Sequence, residues 1–152
     1  MNFLFVCTGN VSRSFLADML FKYEIEMHKI DGIYSSSAGL FASQGSPPDP
    51  KMVDYLFKKE IPVTGHEARQ ISRQDVEWAD RILVMEQEHE RMIEATWPDV
   101  KEKVELLGSF ASGVHVADDV IDPYGRSSYH YRLVQSHITL AIRSLVKSLK
   151  EG

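Results

Sequence analysis

Phe3-Leu4-Phe5-Val6-Cys7-Thr8-Gly9-Asn10-Val11-Ser12-Arg13-Ser14 opens the chain and decides its fold. Phe3 to Val6 is a short run of aromatic and β-branched character, which reads as a buried strand. Cys7-Thr8-Gly9-Asn10 follows as a turn signal. From about Arg13 the apolar positions Leu16, Met19, Leu20, Tyr23 and Met27 recur at helical spacing. A strand, a glycine-containing loop and a helix in that order form the first half of a βαβ unit.

The same alternation continues downstream. Ile33 to Ala38 predicts a second strand, followed by a Gly/Ser/Pro-rich loop from Gly39 to Pro48. Asp49-Pro50 suits the cap and first residue of a helix whose apolar face is Met52, Val53, Leu56 and Phe57. Ser72 with Asp75 reads as a capping box opening a short helix to Ala79. Arg81 to Met85 is a third strand, Glu88 to Thr96 a helix, and Lys103 to Leu107 a fourth short strand. Ser109 to Arg126 has no period, and so long a loop in a compact domain tends to be functional. Tyr131, Val134, Ile138, Ile142, Leu145 and Leu149 mark a last amphipathic helix. The expected architecture is an α/β, doubly wound, three-layer sandwich on a small parallel sheet of about four strands, of flavodoxin type. Ligands of such sheets bind beyond the carboxyl ends of the strands, where Cys7 and Ser37 lie.

Composition narrows the class. At 152 residues the chain has the size of one domain, 1–152, and no repeat or linker interrupts it. A hydrophobic share of 43% and a charged share of 26% are ordinary for a globular protein. The net charge of −5 argues against nucleic acid or an anionic membrane as a partner. No stretch approaches the roughly 20 apolar residues of a membrane span, and the N-terminal apolar run is too short for a signal peptide. The single cysteine excludes an internal disulfide or a multi-thiolate zinc cage, which suits a reducing compartment and predicts a cytoplasmic address. The histidines are scattered without paired ligand spacing, so neither a metal nor another cofactor is expected. Nothing in the sequence bears on oligomeric state.

The chemistry lies in Cys7 to Ser14, where a cysteine and an arginine are separated by five residues. A loop that curls into a helix N-terminus aims several backbone N–H groups at one centre and binds a tetrahedral anion. Gly9 and Asn10 tolerate the left-handed angles that this curl requires. Arg13 can clamp two phosphate oxygens with its fork of donors. The amides, the helix dipole, Arg13 and a hydrogen bond from Ser14 together favour a thiolate at Cys7, placed for in-line attack on phosphorus. A lone cysteine at the end of an apolar strand is more often an inert core residue. The Gly-Asn curl and the helix directly behind it favour the catalytic reading.

With those residues in view, the chain resembles the low-molecular-weight protein tyrosine phosphatase family, which carries Cys-x-Gly-Asn-x-Cys-Arg-Ser after its first strand and Asp-Pro-Tyr/Phe near its C-terminus. The counterparts here are Cys7 to Ser14 and Asp122-Pro123-Tyr124. Ser37-Ala38-Gly39, Pro47-Pro48-Asp49 and His66-Glu67-Ala68-Arg69-Gln70 match in order between them, so the likeness covers nearly the whole chain. It implies a protein phosphatase acting through a phosphocysteine intermediate, with Cys7 as nucleophile, Arg13 as phosphate clamp and Asp122 as general acid and then base. It further implies substrate contacts from Thr8, Gly9, Asn10, Val11, Ser12 and Ser14, and aromatic walls from Phe41 and Tyr124. Asn10, Ser14, Ser37 and His66 would hold the loop through hydrogen bonds. The partner would be a phosphorylated protein.

Three positions depart from that pattern. Ser12 stands where most members have a second cysteine, so no protective disulfide can form. Phe15 replaces the proline usual after Arg-Ser. Val11 matches the aliphatic residue common in phosphotyrosine enzymes, whereas the protein-arginine-phosphatase branch carries threonine. Cys7-Thr8-Gly9-Asn10 and Ser37 to Ser43 look closer to that branch. Val11 would touch the substrate and lacks the hydroxyl, so phosphotyrosine is the expected substrate and phosphoarginine the alternative. A non-catalytic phosphate-binding module would require loss of nucleophile, clamp or acid, and all three are present. The single cysteine argues against arsenate reductase, a same-fold relative that needs a cysteine relay.

Overall fold

A computed structural model describes residues 1–111 and 119–152. Four parallel strands, β1 (Asn2–Cys7), β2 (Tyr34–Gly39), β3 (Arg81–Val84) and β4 (Val104–Leu106), form one sheet in the order β2-β1-β3-β4. Among the described residues five helices surround it: α1 (Arg13–Met27), α2 (Pro50–Lys58), α3 (Arg73–Trp78), α4 (Gln87–Thr96) and α5 (Ser128–Glu151). This is the expected doubly wound sandwich.

The central strand explains the layering. Phe3, Phe5 and Cys7 point into one core with α1, α2 and α5 residues such as Phe21, Met52 and Ile142. Leu4 and Val6, on the other face, pack with Val76 of α3 and Ile93 of α4. Both faces of β1 are therefore covered, and its sequence is continuously apolar instead of alternating. α1 follows the same logic: from Arg13 to Phe21 every residue is buried, because β1, β2 and α5 enclose it. Its one buried carboxylate, Asp18, accepts from Lys22 at 2.7 Å and from the Ser35 hydroxyl at 2.6 Å.

Two residues assigned to apolar helix faces lie outside them. Phe57 is 78% exposed and Met27 is 61% exposed. On α2 Met52 and Leu56, one turn apart, are buried, Val53 packs partly buried beside them, and Phe57 is rotated by about 100° from Leu56. Met27 ends α1 beyond its last buried residue, Ile25. The capping box at the start of α3 is present: Asp75 N–H donates to the Ser72 hydroxyl, and Ser72 N–H donates to the Asp75 carboxylate. Short 3-10 turns at Pro98–Lys103 and Leu107–Phe110 flank β4 and were not evident from periodicity. The second of these begins the long aperiodic segment, of which residues 112–118 lie outside the described residues. No described helix is long and apolar enough to cross a membrane.

Sheet register brings the loops together. Cys7 is level with Gly39 at the carboxyl end of the sheet, and Val6 with Val84. Pairing continues past the strand ends: Leu40 N–H donates to Cys7 O at 3.0 Å and Phe41 N–H to Thr8 O at 2.9 Å. The segment after β2 is thereby laid against the loop after β1.

Candidate active site

A cavity of about 600 Å³ opens at the carboxyl end of β1. Cys7, Thr8, Gly9, Val11, Ser12 and Arg13 form one side of it, and Phe41, Asp49, Asp122 and Tyr124 contribute others. Among the described residues, the backbone N–H groups of residues 8–12 donate to no protein acceptor. Unpaired amides gathered around one cavity form a nest for an anion.

Asn10 shapes the curl. It has φ 58°, in the left-handed region that asparagine tolerates better than most residues. Its side chain is fully buried and satisfied at both ends. Nδ2 donates to Ser14 Oγ and to Ser37 Oγ, each at 2.9 Å, and Oδ1 accepts from Arg69 N–H at 3.1 Å. The Asn10 carbonyl accepts from His66 Nε2 at 2.7 Å, which fixes the proton on that nitrogen. Phe15, the residue in place of proline, is fully buried with its ring 4.8 Å from the His66 ring. The substitution therefore adds a packing support to the residue that holds the loop.

Cys7 Sγ lies 2.9 Å from Ser14 Oγ. Asn10 already donates to that oxygen, so the hydroxyl hydrogen of Ser14 is left for the sulfur. Asn10 and Ser14 were expected among the substrate contacts, but both are fully buried and neither lines the cavity. They reach it only through the loop and through Cys7. Ser37, also buried, serves the loop through Asn10. Ser12 lines the cavity, caps nothing, and its buried hydroxyl has no partner among the described residues.

Arg13 is 2% exposed in its side chain. Its Nη1 donates to Glu86 Oε2 at 2.5 Å and to Val120 O at 2.9 Å. Nε and Nη2 keep their hydrogens for a ligand, with Nη2 3.7 Å from Asp122 Oδ2. One edge of the guanidinium is anchored and the other is presented. Asp122 is about half exposed, and its Oδ1 accepts from Tyr124 N–H at 3.1 Å. Phe41 is 68% exposed and Tyr124 70% exposed, so both stand at the rim as open walls.

Several supporting residues carried no signal in the sequence. Glu86 follows β3, and its role as the Arg13 anchor emerges only when β3 is set beside β1. His89 accepts from Glu86 N–H through Nδ1 at 3.1 Å, so its Nε2 carries the hydrogen donated to Thr8 Oγ1 at 3.0 Å. The Thr8 hydroxyl is thus turned to α4. Burial, and next the Arg13 charge, push the His89 pKa below its ordinary value despite Glu86, Asp119 and Asp122. Asp49 is pinned beside Val11: its N–H donates to Val11 O at 2.8 Å and its Oδ2 accepts from Tyr131 OH at 2.5 Å. The capping role of Asp49 was legible, but its contact with α5 was not.

Comparison with known proteins gives a consistent picture. The sequence profile described as low molecular weight phosphotyrosine protein phosphatase matches residues 2–152. The chain is 34% identical to the protein-arginine-phosphatase of Bacillus subtilis, over 99% of this chain and 98% of that protein. It is 33% identical to the low molecular weight protein-tyrosine-phosphatase Wzb of Escherichia coli, over 97% and 95%. A solved structure of the YwlE arginine phosphatase, a mutant with a phosphorylated active site serine, superposes with a TM-score of 0.89 at 33% identity, covering 99% of this chain and 96% of that one.

Proposed function

The chain belongs to the low molecular weight phosphotyrosine protein phosphatase family, and within it we propose a single cytoplasmic phosphatase domain, 1–152, that hydrolyses phosphotyrosine in proteins. Members of this family are cysteine-dependent phosphatases. The observation that carries the assignment of roles is the set of unpaired amides around Cys7, with the free edge of Arg13 and the Asp122 carboxyl on the same cavity.

The proposed reaction runs in two steps. The phosphate dianion settles on the amides of the loop and the Nε and Nη2 hydrogens of Arg13. Cys7 Sγ forms a bond to phosphorus as the bond to the phenolic oxygen breaks, and Asp122 gives its proton to that oxygen. Asp122 then takes a proton from water as the water oxygen attacks the phosphocysteine. The S–P bond breaks, releasing inorganic phosphate and the thiolate, which Ser14 stabilises. Glu86, Asn10, His66 and Ser37 preorganise the loop, so the donors need not rearrange during reaction.

Val11, Phe41 and Tyr124 support the choice of phosphotyrosine. They offer an aryl ring apolar walls, whereas the N–H groups of a guanidinium would meet no hydroxyl at Val11. Phosphoarginine is the second reading, favoured by the relatives named protein-arginine-phosphatase.

The assay is metal-free turnover of p-nitrophenyl phosphate by the native protein and its Cys7→Ser variant, then of peptides bearing phosphotyrosine or phosphoarginine. Turnover abolished by the substitution and a higher kcat/KM for phosphotyrosine are expected. Retained activity in Cys7→Ser would remove the cysteine mechanism. A preference for phosphoarginine would transfer the protein to the second reading.

A further inference from the structure

We propose that a cationic groove adjoining the phosphate cavity binds an acidic side chain of the substrate protein, and so selects phosphoresidues with a carboxylate nearby. This rests on reading the main cavity as a phosphoprotein site. The groove, of about 490 Å³, runs between α2 and α5 and includes Lys51, Asp54, Lys58, Tyr131 and Arg132. Pro50 lines both it and the main cavity, so the two meet at the start of α2.

Charge identifies the occupant. The chain as a whole carries −5, yet this groove holds three cations and one carboxylate. Lys58 pairs with Asp54 at 2.9 Å and uses up that carboxylate. Lys51 and Arg132 form no ion pair among the described residues. Both are exposed, so their charges face whatever enters the groove.

Lys51 is also held in place. Its Nζ stands 4.6 Å from the centre of the Tyr131 ring. That ring is fixed by the hydrogen bond from its hydroxyl to Asp49, at 2.5 Å. Asp49 is buried with both oxygens engaged, Oδ1 by Lys51 N–H at 3.0 Å and Oδ2 by Tyr131. A positioned ammonium and a guanidinium without partners suit an Asp or Glu side chain. An extended peptide advances about 3.3 Å per residue, so a groove adjoining the cavity serves residues within a few positions of the phosphoresidue.

The test uses matched phosphopeptides with Asp or Asn two to four residues on either side of the phosphoresidue. Each is made with phosphotyrosine and with phosphoarginine. The native protein should prefer the acidic peptide by about three- to ten-fold in kcat/KM at low salt, with the preference fading as ionic strength rises. In Lys51→Glu/Arg132→Glu the acidic-to-neutral ratio should fall to one or invert. Dissociation constants for the Cys7→Ser protein give the same comparison independently of turnover. A ratio of one in both peptide classes, or a ratio that survives the charge reversal, overturns the proposal. Failure of the phosphotyrosine reading shows separately, as preference for the phosphoarginine class.

Discussion

A Cβ placed on Gly39 would stand 2.7 Å from the carbonyl oxygen of Thr8. It would also stand 3.1 Å from Asn10 Cβ. The end of β2 and the phosphate-binding loop therefore touch backbone to backbone, and only glycine permits it. Gly39→Ala should push the loop away from Phe41 N–H and misplace its amides. The expected result is a loss of about 1–3 kcal/mol in stability by denaturant titration, with kcat falling by more than that loss explains. Native kinetics in Gly39→Ala would show that the contact is not needed for the loop geometry.

Asn10 supplies two things that substitutions can separate. Asn10→Ala loses the bonds to Ser14, Ser37 and Arg69 and is strained at φ 58°. Asn10→Gly loses the same bonds without that strain. Glycine should be the more stable of the two by about 1 kcal/mol in chemical denaturation, while both lose activity by at least ten-fold. Near-native activity in Asn10→Gly would reduce the asparagine to a backbone device.

Glu86 anchors one edge of Arg13, so Glu86→Gln tests the clamp without touching the ligand. The charge of the pair is lost, but Val120 O still holds Nη1. The expected outcome is a weaker affinity for vanadate and a lower kcat, each by about ten-fold, with a melting temperature close to native. Unchanged vanadate affinity would mean that Arg13 needs no carboxylate anchor.

Cys7 is the sole cysteine, with Ser12 at the position where the family motif it resembles carries a second cysteine. Peroxide should carry Cys7 past the sulfenic stage to irreversible acids, because no thiol can trap it. Activity lost to peroxide should not return with dithiothreitol. In Ser12→Cys it should return in large part, with a disulfide seen by mass spectrometry. Full recovery of the native protein would contradict this.

His89 is held below its ordinary value of 6.5, first by burial and then by the Arg13 charge, so folding favours its neutral form. The unfolded chain binds the proton more readily. The contribution of His89 to stability is therefore complete above about pH 6.5 and is lost as pH falls through the lower folded value. Denaturation midpoints measured at several values between pH 7.5 and 5 should fall more steeply for the native protein than for His89→Asn. Parallel curves would show that His89 does not carry this dependence.

The sequence determined the alternation of strands and helices, the strand-to-helix curl at Cys7 and the caps at Asp49 and Ser72. Each of these rests on residues within a few positions of one another, where periodicity, φ preference and local hydrogen bonds act. The family motifs also placed Asp122 with Cys7 and Arg13, though it lies far from both in the chain. Tertiary structure alone decided what supports them. Glu86 and His89 had no role legible in the sequence until β3 was registered beside β1. Phe15 looked like a missing proline until it met the His66 ring, and Tyr131 like a core residue until its hydroxyl reached Asp49. Side-chain hydrogen bonds and ring contacts act over about 3 to 5 Å, and which distant residues come within that range is fixed only when the layers have packed.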